Sequence, residues 1–513
     1  MQADTASFHE SWCLLPGPTL VRCSGVRPKF AGDNPMGKKR VNSDTNSRRS
    51  RVDPSTQRVP PTISTSGNHH GRNNGLFFAI FAAFSVVTAA VSMLIYRHTT
   101  HPASTPYVYQ RSLVKANVDY QEILTEHSRV SENGTLRHFS NPVLAYITPW
   151  NSAGYDLAKR FNSKFTHLSP VWYNLKSKGT KFVLEGRHDA DRGWMSELRQ
   201  KGNAQILPRF VLEAEPNELL RNKKQMDKAI DLIMTECRDM DYDGVVLESW
   251  SRWYSVLHDA AMRKMALQFI KQLGDALHNV SSNRSGKHLQ LVYVIGPPRS
   301  ENLQSYDFGP KDLQILSESV DGFSLMTYDY SSPYSPGPNA PLKWVHSTLE
   351  LLSARTKSLA KKIFVGINFY GYDYLMAEGL VRNGSDLSSM GLSLWVPYEI
   401  QTMRLFVELA FSQEAFHHKR RTISLLYLSC GAARAITGRD YLSLLDQYKP
   451  AIKWQKNFAE HFFLYTDDRH LQHAVFYPTL MSISQRMEEA RSWGAGISIW
   501  EIGQGLDCFF DLL

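Results

Sequence analysis

The chain has 513 residues, 42% hydrophobic and 21% charged, with 24 prolines and 31 glycines. These figures leave room for one large domain or two medium ones, and they exclude wholesale disorder, a collagenous repeat and a polytopic membrane protein. The net charge is +9, but residues 1–75 carry eleven Lys/Arg against five Asp/Glu, so +6 sits in a tail and +3 is spread over the other 438 residues; a basic tail without interleaved aromatics disfavours nucleic acid as a partner.

In chain order, residues 1–75 hold turn formers and charge without an apolar period and are predicted to be a disordered basic tail. Met36 opens a second start, MGKKR, whose use would remove residues 1–35. Leu76 to Tyr96 reads LFFAIFAAFSVVTAAVSMLIY, 21 residues without a charge, enough at about 1.5 Å per residue to span a hydrocarbon layer of roughly 30 Å. It is apolar on every face and lies between polar segments, so it is predicted to be a single transmembrane helix rather than a core helix or a cleaved signal peptide. Lys38, Lys39, Arg40, Arg48, Arg49, Arg51, Arg58 and Arg72 precede it, and only Arg97 follows immediately. This bias puts the N-terminus in the cytosol and the bulk of the chain in the endomembrane lumen or outside the cell, a single-pass type II arrangement. Four N-x-S/T sequons, at Asn133, Asn279, Asn283 and Asn383, all lie downstream and mark a glycoprotein. Cys13, Cys23, Cys237, Cys430 and Cys508 form no CxxC pair and are expected to be mostly free thiols.

Residues 97–140 read as a polar stem. From 141 to 513, apolar runs alternate with amphipathic stretches. The runs are Val143–Ile147, Phe165–Trp172, Ile206–Leu212, Gly244–Leu247, Leu289–Ile295, Gly322–Tyr328, Ile363–Phe369 and Gly496–Trp500. Between them lie helical patterns such as Gln225–Cys237, Met262–Leu277, Leu342–Ala354 and Ser482–Ser492. Eight continuous apolar runs separated by helices predict parallel strands buried on both faces, an α/β fold of the (β/α)8 TIM-barrel type. An open doubly wound sheet is the alternative, but no G-x-G-x-x-G follows the first run. Residues 380–431 fit neither a strand–helix unit nor a polar loop, and read equally as an irregular inserted subdomain or as translated intron.

Barrels place their chemistry at the C-terminal ends of the strands. In the fourth run, Asp243-Gly-Val-Val-Leu-Glu-Ser-Trp250, alternation puts Val246, Glu248 and Trp250 on one face. The sixth ends Met326-Thr-Tyr-Asp-Tyr330, placing Tyr328 and Asp329 at the mouth; the seventh continues into Tyr370, and the eighth ends Trp500-Glu501. With Trp150 and Trp172, these aromatics suit the apolar faces of sugar rings, although each alone is more often an ordinary core residue. The acidic stretch Glu236 to Asp243 precedes its strand and so falls at the N-terminal face, away from the chemistry. No metal or cofactor set is predicted.

DGVVLESW, DGFSLMTYDY, GINFYGYDY and GISIWEIGQG resemble strands four, six, seven and eight of glycoside hydrolase family 18, the chitinases and chitinase-like lectins. The likeness covers about residues 142–513 except 380–431, and is greatest to the chitinase-domain-containing, stabilin-interacting chitinase-like subgroup. It implies that Tyr328, Asp329, Tyr370, Trp500 and Glu501 hold a sugar, with Trp500 flooring the central subsite. Active members show D-G-x-D-x-D-x-E on strand four, where the last Glu protonates the glycosidic oxygen and the middle Asp supports the substrate's acetamido nucleophile. Here Asp243 and Gly244 match, the second Asp is Val246, the third is Glu248, and the acid position is Trp250. Tryptophan donates no proton at a useful pKa. Glu248 lies one pleat repeat deeper, roughly 6.6 Å at about 3.3 Å per residue, beyond the roughly 3 Å reach of general acid catalysis. Leu207-Pro-Arg-Phe210 also replaces a Ser-x-Gly-Gly turn. The expectation is a membrane-anchored protein that binds chitin-type amino-sugar oligosaccharides without cleaving them. Two alternatives stay open: a weak or altered hydrolase using Glu248 or Glu501, and a barrel scaffold for protein partners.

Overall fold

The computed structural model describes residues 82–93, 105–132, 134, 136–179, 181–298, 303–333, 335–353, 357–376 and 433–513. Continuous apolar runs need shelter on both faces, and each of the eight becomes a parallel strand: β1 Val143–Ile147, β2 His167–Pro170, β3 in two pieces, Gln205–Ile206 and Arg209–Leu212, β4 Gly244–Glu248, β5 Gln290–Ile295, β6 Gly322–Leu325, β7 Ile363–Asn368 and β8 Gly496–Trp500. Each pairs with the next, and β8 returns to β1 with Val143 opposite Ile497. Pro208 has no N–H to give and interrupts β3, but its carbonyl still accepts from Val246 N at 2.9 Å while Leu207 N donates to Leu168 O at 2.9 Å. The ring therefore closes through the break.

Strand alternation sorts the core into two layers. Leu144, Tyr146, Leu207, Val246, Val292, Val294 and Phe364 fill the barrel. Their neighbours, such as Val143, Ala145, Ile147, Val245, Leu247, Ile497 and Ile499, pack outward against the helices. The long helices Lys223–Met240 and Ala260–His278 start at Asn222 and Asp259, whose side chains accept from the first free amides.

Between β7 and β8 the chain builds a second, five-stranded antiparallel sheet, ordered Ala433–Ile436, Gly371–Leu375, Gln472–Phe476, Glu460–Thr466, Lys453–Gln455. The insertion expected at 380–431 lies outside the described residues. The strands that bound it are direct partners, with Tyr374 opposite Ala433, so the chain leaves and re-enters at one place on the sheet.

The segment read as a polar stem contributes to the core in its described part: Val108, Leu113 and Phe139 are buried. Asp511 fastens it, accepting from Val108 N at 2.9 Å and Ser131 N at 3.0 Å. Of the apolar run 76–96, residues 82–93 are described and form an exposed helix. Among the described residues no helix is long and apolar enough to cross a membrane. Cys237 and Cys508 are buried free thiols; the other three cysteines, residues 1–35 and the rest of the basic tail lie outside the described residues.

Candidate functional site

The mouth of the barrel is built from the ends of β3, β4, β6, β7 and β8. Glu248 closes β4 and points inward above Val246. Its carboxylate forms a buried ion pair with Arg209, the two side chains being 6% and 12% exposed. Ser251 Oγ donates to Glu248 Oε1 at 3.0 Å, and Arg252 Nε approaches the same oxygen at 3.8 Å. All three neighbours of this carboxyl are donors, and it serves them as a hydrogen-bond acceptor. The Arg209 guanidinium also lies 4.9 Å from the ring centre of Trp500 and 5.9 Å from that of Tyr146, within cation–π range. Burial loosens the hold of Arg209 on its proton, against the counter-pull of the Tyr146 and Tyr328 phenols. Below it, Tyr146 Oη donates to Ser324 Oγ at 2.8 Å, and Ser324 Oγ to Ser498 Oγ at 3.1 Å.

The rim carries the β6 and β7 groups. Asp329 adopts a left-handed conformation with φ of 61°, tolerable for aspartate, and its N–H donates to Asn339 Oδ1 at 2.7 Å. Its Oδ1 accepts from Tyr370 Oη and, at 2.9 Å, from Tyr372 Oη. Tyr328 stands with its ring centre 6.2 Å from that of Tyr370, and burial raises both phenols well above their usual range, leaving them neutral. Gly366 makes room for Tyr328, since a Cβ there would fall 2.9 Å from Tyr328 Cε1. Trp150, 69% exposed, offers an open ring after β1.

Three residues expected here lie elsewhere. Trp250 was placed with Val246 and Glu248 by alternation, but β4 ends at Glu248; Ser249 turns at φ −149°, ψ −31° and Trp250 begins a helical turn. Its ring is buried in the outer layer, 5.1 Å from Phe308 and under Arg263 at 5.0 Å, with Nε1 donating to Tyr306 O at 2.9 Å. Trp172 is a core residue whose Nε1 donates to Tyr155 Oη at 2.8 Å. Glu501 is fully buried on the outer side of β8. It accepts from Thr148 Oγ1 at 2.8 Å and Asn151 Nδ2 at 2.7 Å, and burial lifts its carboxyl to about 6. It ties the end of β8 to the loop after β1. Asn279 and Asn283 are exposed on the turn before β5, at the opposite end of the barrel, whereas Asn133 and Asn383 lie outside the described residues.

Sequence reasoning missed the part played by Arg209. Its signal was a lone charge, one repeat from Leu207 in an apolar strand, which alternation aims into the barrel.

The family profile described as "Glycosyl hydrolases family 18" matches residues 143–505. The cortical fragment-lytic enzyme of Bacillus subtilis (strain 168) is 24% identical over 387 residues, 73% of this chain and 69% of that protein. A second Bacillus subtilis relative, YdhD, named as a sporulation-specific glycosylase, is 23% identical over 251 residues; the chain spans 45% of its length. Among solved structures, a chitinase from Chromobacterium violaceum ATCC 12472 superposes with a TM-score of 0.53 at 18% identity, covering 73% of this chain and 98% of that one. A class V chitinase of Nicotiana tobaccum in complex with NAG4 gives 0.50 at 14% identity, covering 72% and 97%. At these identities the structural likeness concerns the fold alone.

Proposed function

The chain belongs to the glycosyl hydrolases family 18, and on that premise we propose that its barrel binds chitin-type amino-sugar oligosaccharides and does not hydrolyse them. One observation carries this reading: the acid position, Trp250, is turned out of the mouth, while the inward carboxylate that closes β4, Glu248, is locked to Arg209. A family 18 mechanism needs a proton donor within hydrogen-bond reach of the glycosidic oxygen. Tyr328, Asp329, Tyr370, Trp500 and the exposed Trp150 supply polar and aromatic surface for a sugar chain. The proposal places the protein in the chitinase-domain-containing, stabilin-interacting chitinase-like subgroup. It is anchored by residues 76–96 with its N-terminus in the cytosol, and is glycosylated in the lumen or outside the cell. The charge bias across that apolar run and the downstream sequons support this arrangement.

The test is native mass spectrometry of the deglycosylated protein with a chitin hexamer. Intact hexamer in complex supports the proposal. Shorter products accumulating with time overturn it in favour of a hydrolase, and neither binding nor cleavage, repeated on a broad glycan array, leaves the scaffold reading. Protease protection in sealed microsomes, with cleavage confined to residues 1–75, tests the orientation.

A further inference from the structure

We propose that the N-terminal face of the barrel carries a divalent transition-metal site of the zinc class, formed by His278 Nε2, His288 Nε2 and the carboxylate of Asp321. The three groups come from three elements whose positions are fixed independently. His278 ends the helix Ala260–His278. The chain then reverses through a turn closed by Ser282 N to Lys287 O at 2.7 Å, Gly286 N to Ser282 O at 3.0 Å and Leu289 N to Val280 O at 2.9 Å. Gly286 takes φ of 66° in that turn, a conformation glycine adopts without strain. The reversal folds His288 back onto His278, their ring centres 4.3 Å apart. Asp321 immediately precedes β6 and is pinned to β5: Leu291 N donates to its Oδ2 at 2.8 Å, and its own N–H donates to Leu291 O at 2.8 Å.

His278 Nε2 lies 3.0 Å from Oδ2 and His288 Nε2 lies 3.1 Å from Oδ1, and the ligating atoms all fall within 4.8 Å of one another. Tetrahedral zinc with bonds of about 2.0–2.1 Å keeps its ligand atoms about 3.3–3.4 Å apart. Both imidazole–carboxylate distances are within a few tenths of an ångström of that spacing, and binding requires the three groups to settle around one common centre. Ligation through Nε2 takes the place of the hydrogen bond from that atom to Asp321 and requires the tautomer that carries its proton on Nδ1, the two forms exchanging through solvent. Two imidazoles and one carboxylate leave a fourth position for water, and the 47% exposed His288 side chain opens the path to it. The Leu291 amide fixes the carboxylate from outside the ligand set, as outer groups do in metal sites. The neighbouring Lys362 ammonium is turned onto Ser317 O at 2.5 Å and Val320 O at 2.8 Å.

The test uses the full chain stripped with a chelator. It is titrated with Zn2+ against a chromophoric competitor, and separately with Co2+ for its visible spectrum. His288→Gln and His278→Gln each keep a donor for Asp321 and remove an imidazole; circular dichroism of the metal-free variants checks their fold. The chain has 18 histidines, so the readout is the difference from wild type. We expect each variant to lose one equivalent, or to bind it at least about tenfold more weakly, and to lose the intense absorption of four-coordinate Co2+. Equal stoichiometry and affinity in all three proteins overturns the proposal and leaves a hydrogen-bonded triad. A weakly absorbing six-coordinate Co2+ spectrum in the wild type overturns it without reference to any variant.

Discussion

Glu248→Gln separates a structural carboxylate from a catalytic one. Glu248 and Arg209 are 6% and 12% exposed, and Arg209 has Trp500 and Tyr146 beside it rather than water. Removing one partner of a buried pair typically costs about 3–5 kcal/mol, because the remaining charge stays buried without compensation. The glutamine keeps one oxygen for Ser251 Oγ, which sets the expectation at the lower end, about 3 kcal/mol, or more than a hundredfold in the folding equilibrium. Urea denaturation followed by tryptophan fluorescence measures it directly. The double variant Arg209→Met with Glu248→Leu replaces the pair with apolar groups of similar bulk and should return to within about 1 kcal/mol of wild type. A loss below about 1 kcal/mol in the single variant, or simple additivity in the double, would refute the coupling. A catalytic Glu248 would give the opposite pattern, with turnover abolished and stability nearly untouched.

Other outcomes follow from the same structure. His167 and His461 are buried and neutral, each lowered from 6.5 to about 4 by desolvation. The unfolded chain binds more protons between those values, so stability should fall as pH drops from 6.5 to 4, by up to ~3 kcal/mol for each residue. Glu501, raised from 4.5 to about 6, works in the reverse sense between pH 6 and 4.5 with roughly 2 kcal/mol, and does not cancel the pair. Denaturation midpoints at pH 7, 5.5 and 4.5 check the sum; equal or greater stability at pH 4.5 would sink it. Trp150→Ala, at a 69% exposed position, should leave stability within about 0.5 kcal/mol while weakening glycan binding by about two- to tenfold, measured by calorimetry; unchanged affinity removes Trp150 from the site. Because Tyr374 and Ala433 are opposed, replacing residues 377–432 by a short turn should keep the barrel and raise stability by up to about 2 kcal/mol through a shorter loop. Aggregation of that variant, or loss of its cooperative unfolding, would show that the barrel needs the segment.

Much of the barrel was legible because a strand buried on both faces must be apolar throughout. Val143–Ile147 and Gly496–Trp500 needed no tertiary information and were read to the residue. The sheet inserted before β8 was not, since Glu460–Thr466 and Gln472–Phe476 mix buried and exposed positions and are joined to Gly371–Leu375 only through pairing distant in sequence. At the mouth, Tyr328 and Asp329 were readable from their place after β6. The Arg209–Trp500 contact was not, because it joins residues far apart in sequence. Trp172 and Trp150 follow neighbouring strands with like composition; one is core and the other open because Trp172 meets Tyr155 and Trp194, which arrive from two helices.

The turn at Ser249 bears on how the chain relates to hydrolases of its fold. An alignment counts position 250 as one substitution away from an acid. In space, Trp250→Glu would set its carboxylate beside Phe308 and beneath Arg263, in the packing between barrel and helices rather than at the mouth. On the proposed non-hydrolytic reading, a proton donor reaching the mouth from this position would require a longer β4, a rebuilt helical turn and release of Glu248 from Arg209. A single exchange at position 250 therefore brings no acid to the mouth, because the backbone turn at Ser249, and not the identity of the next residue, decides where that side chain lies.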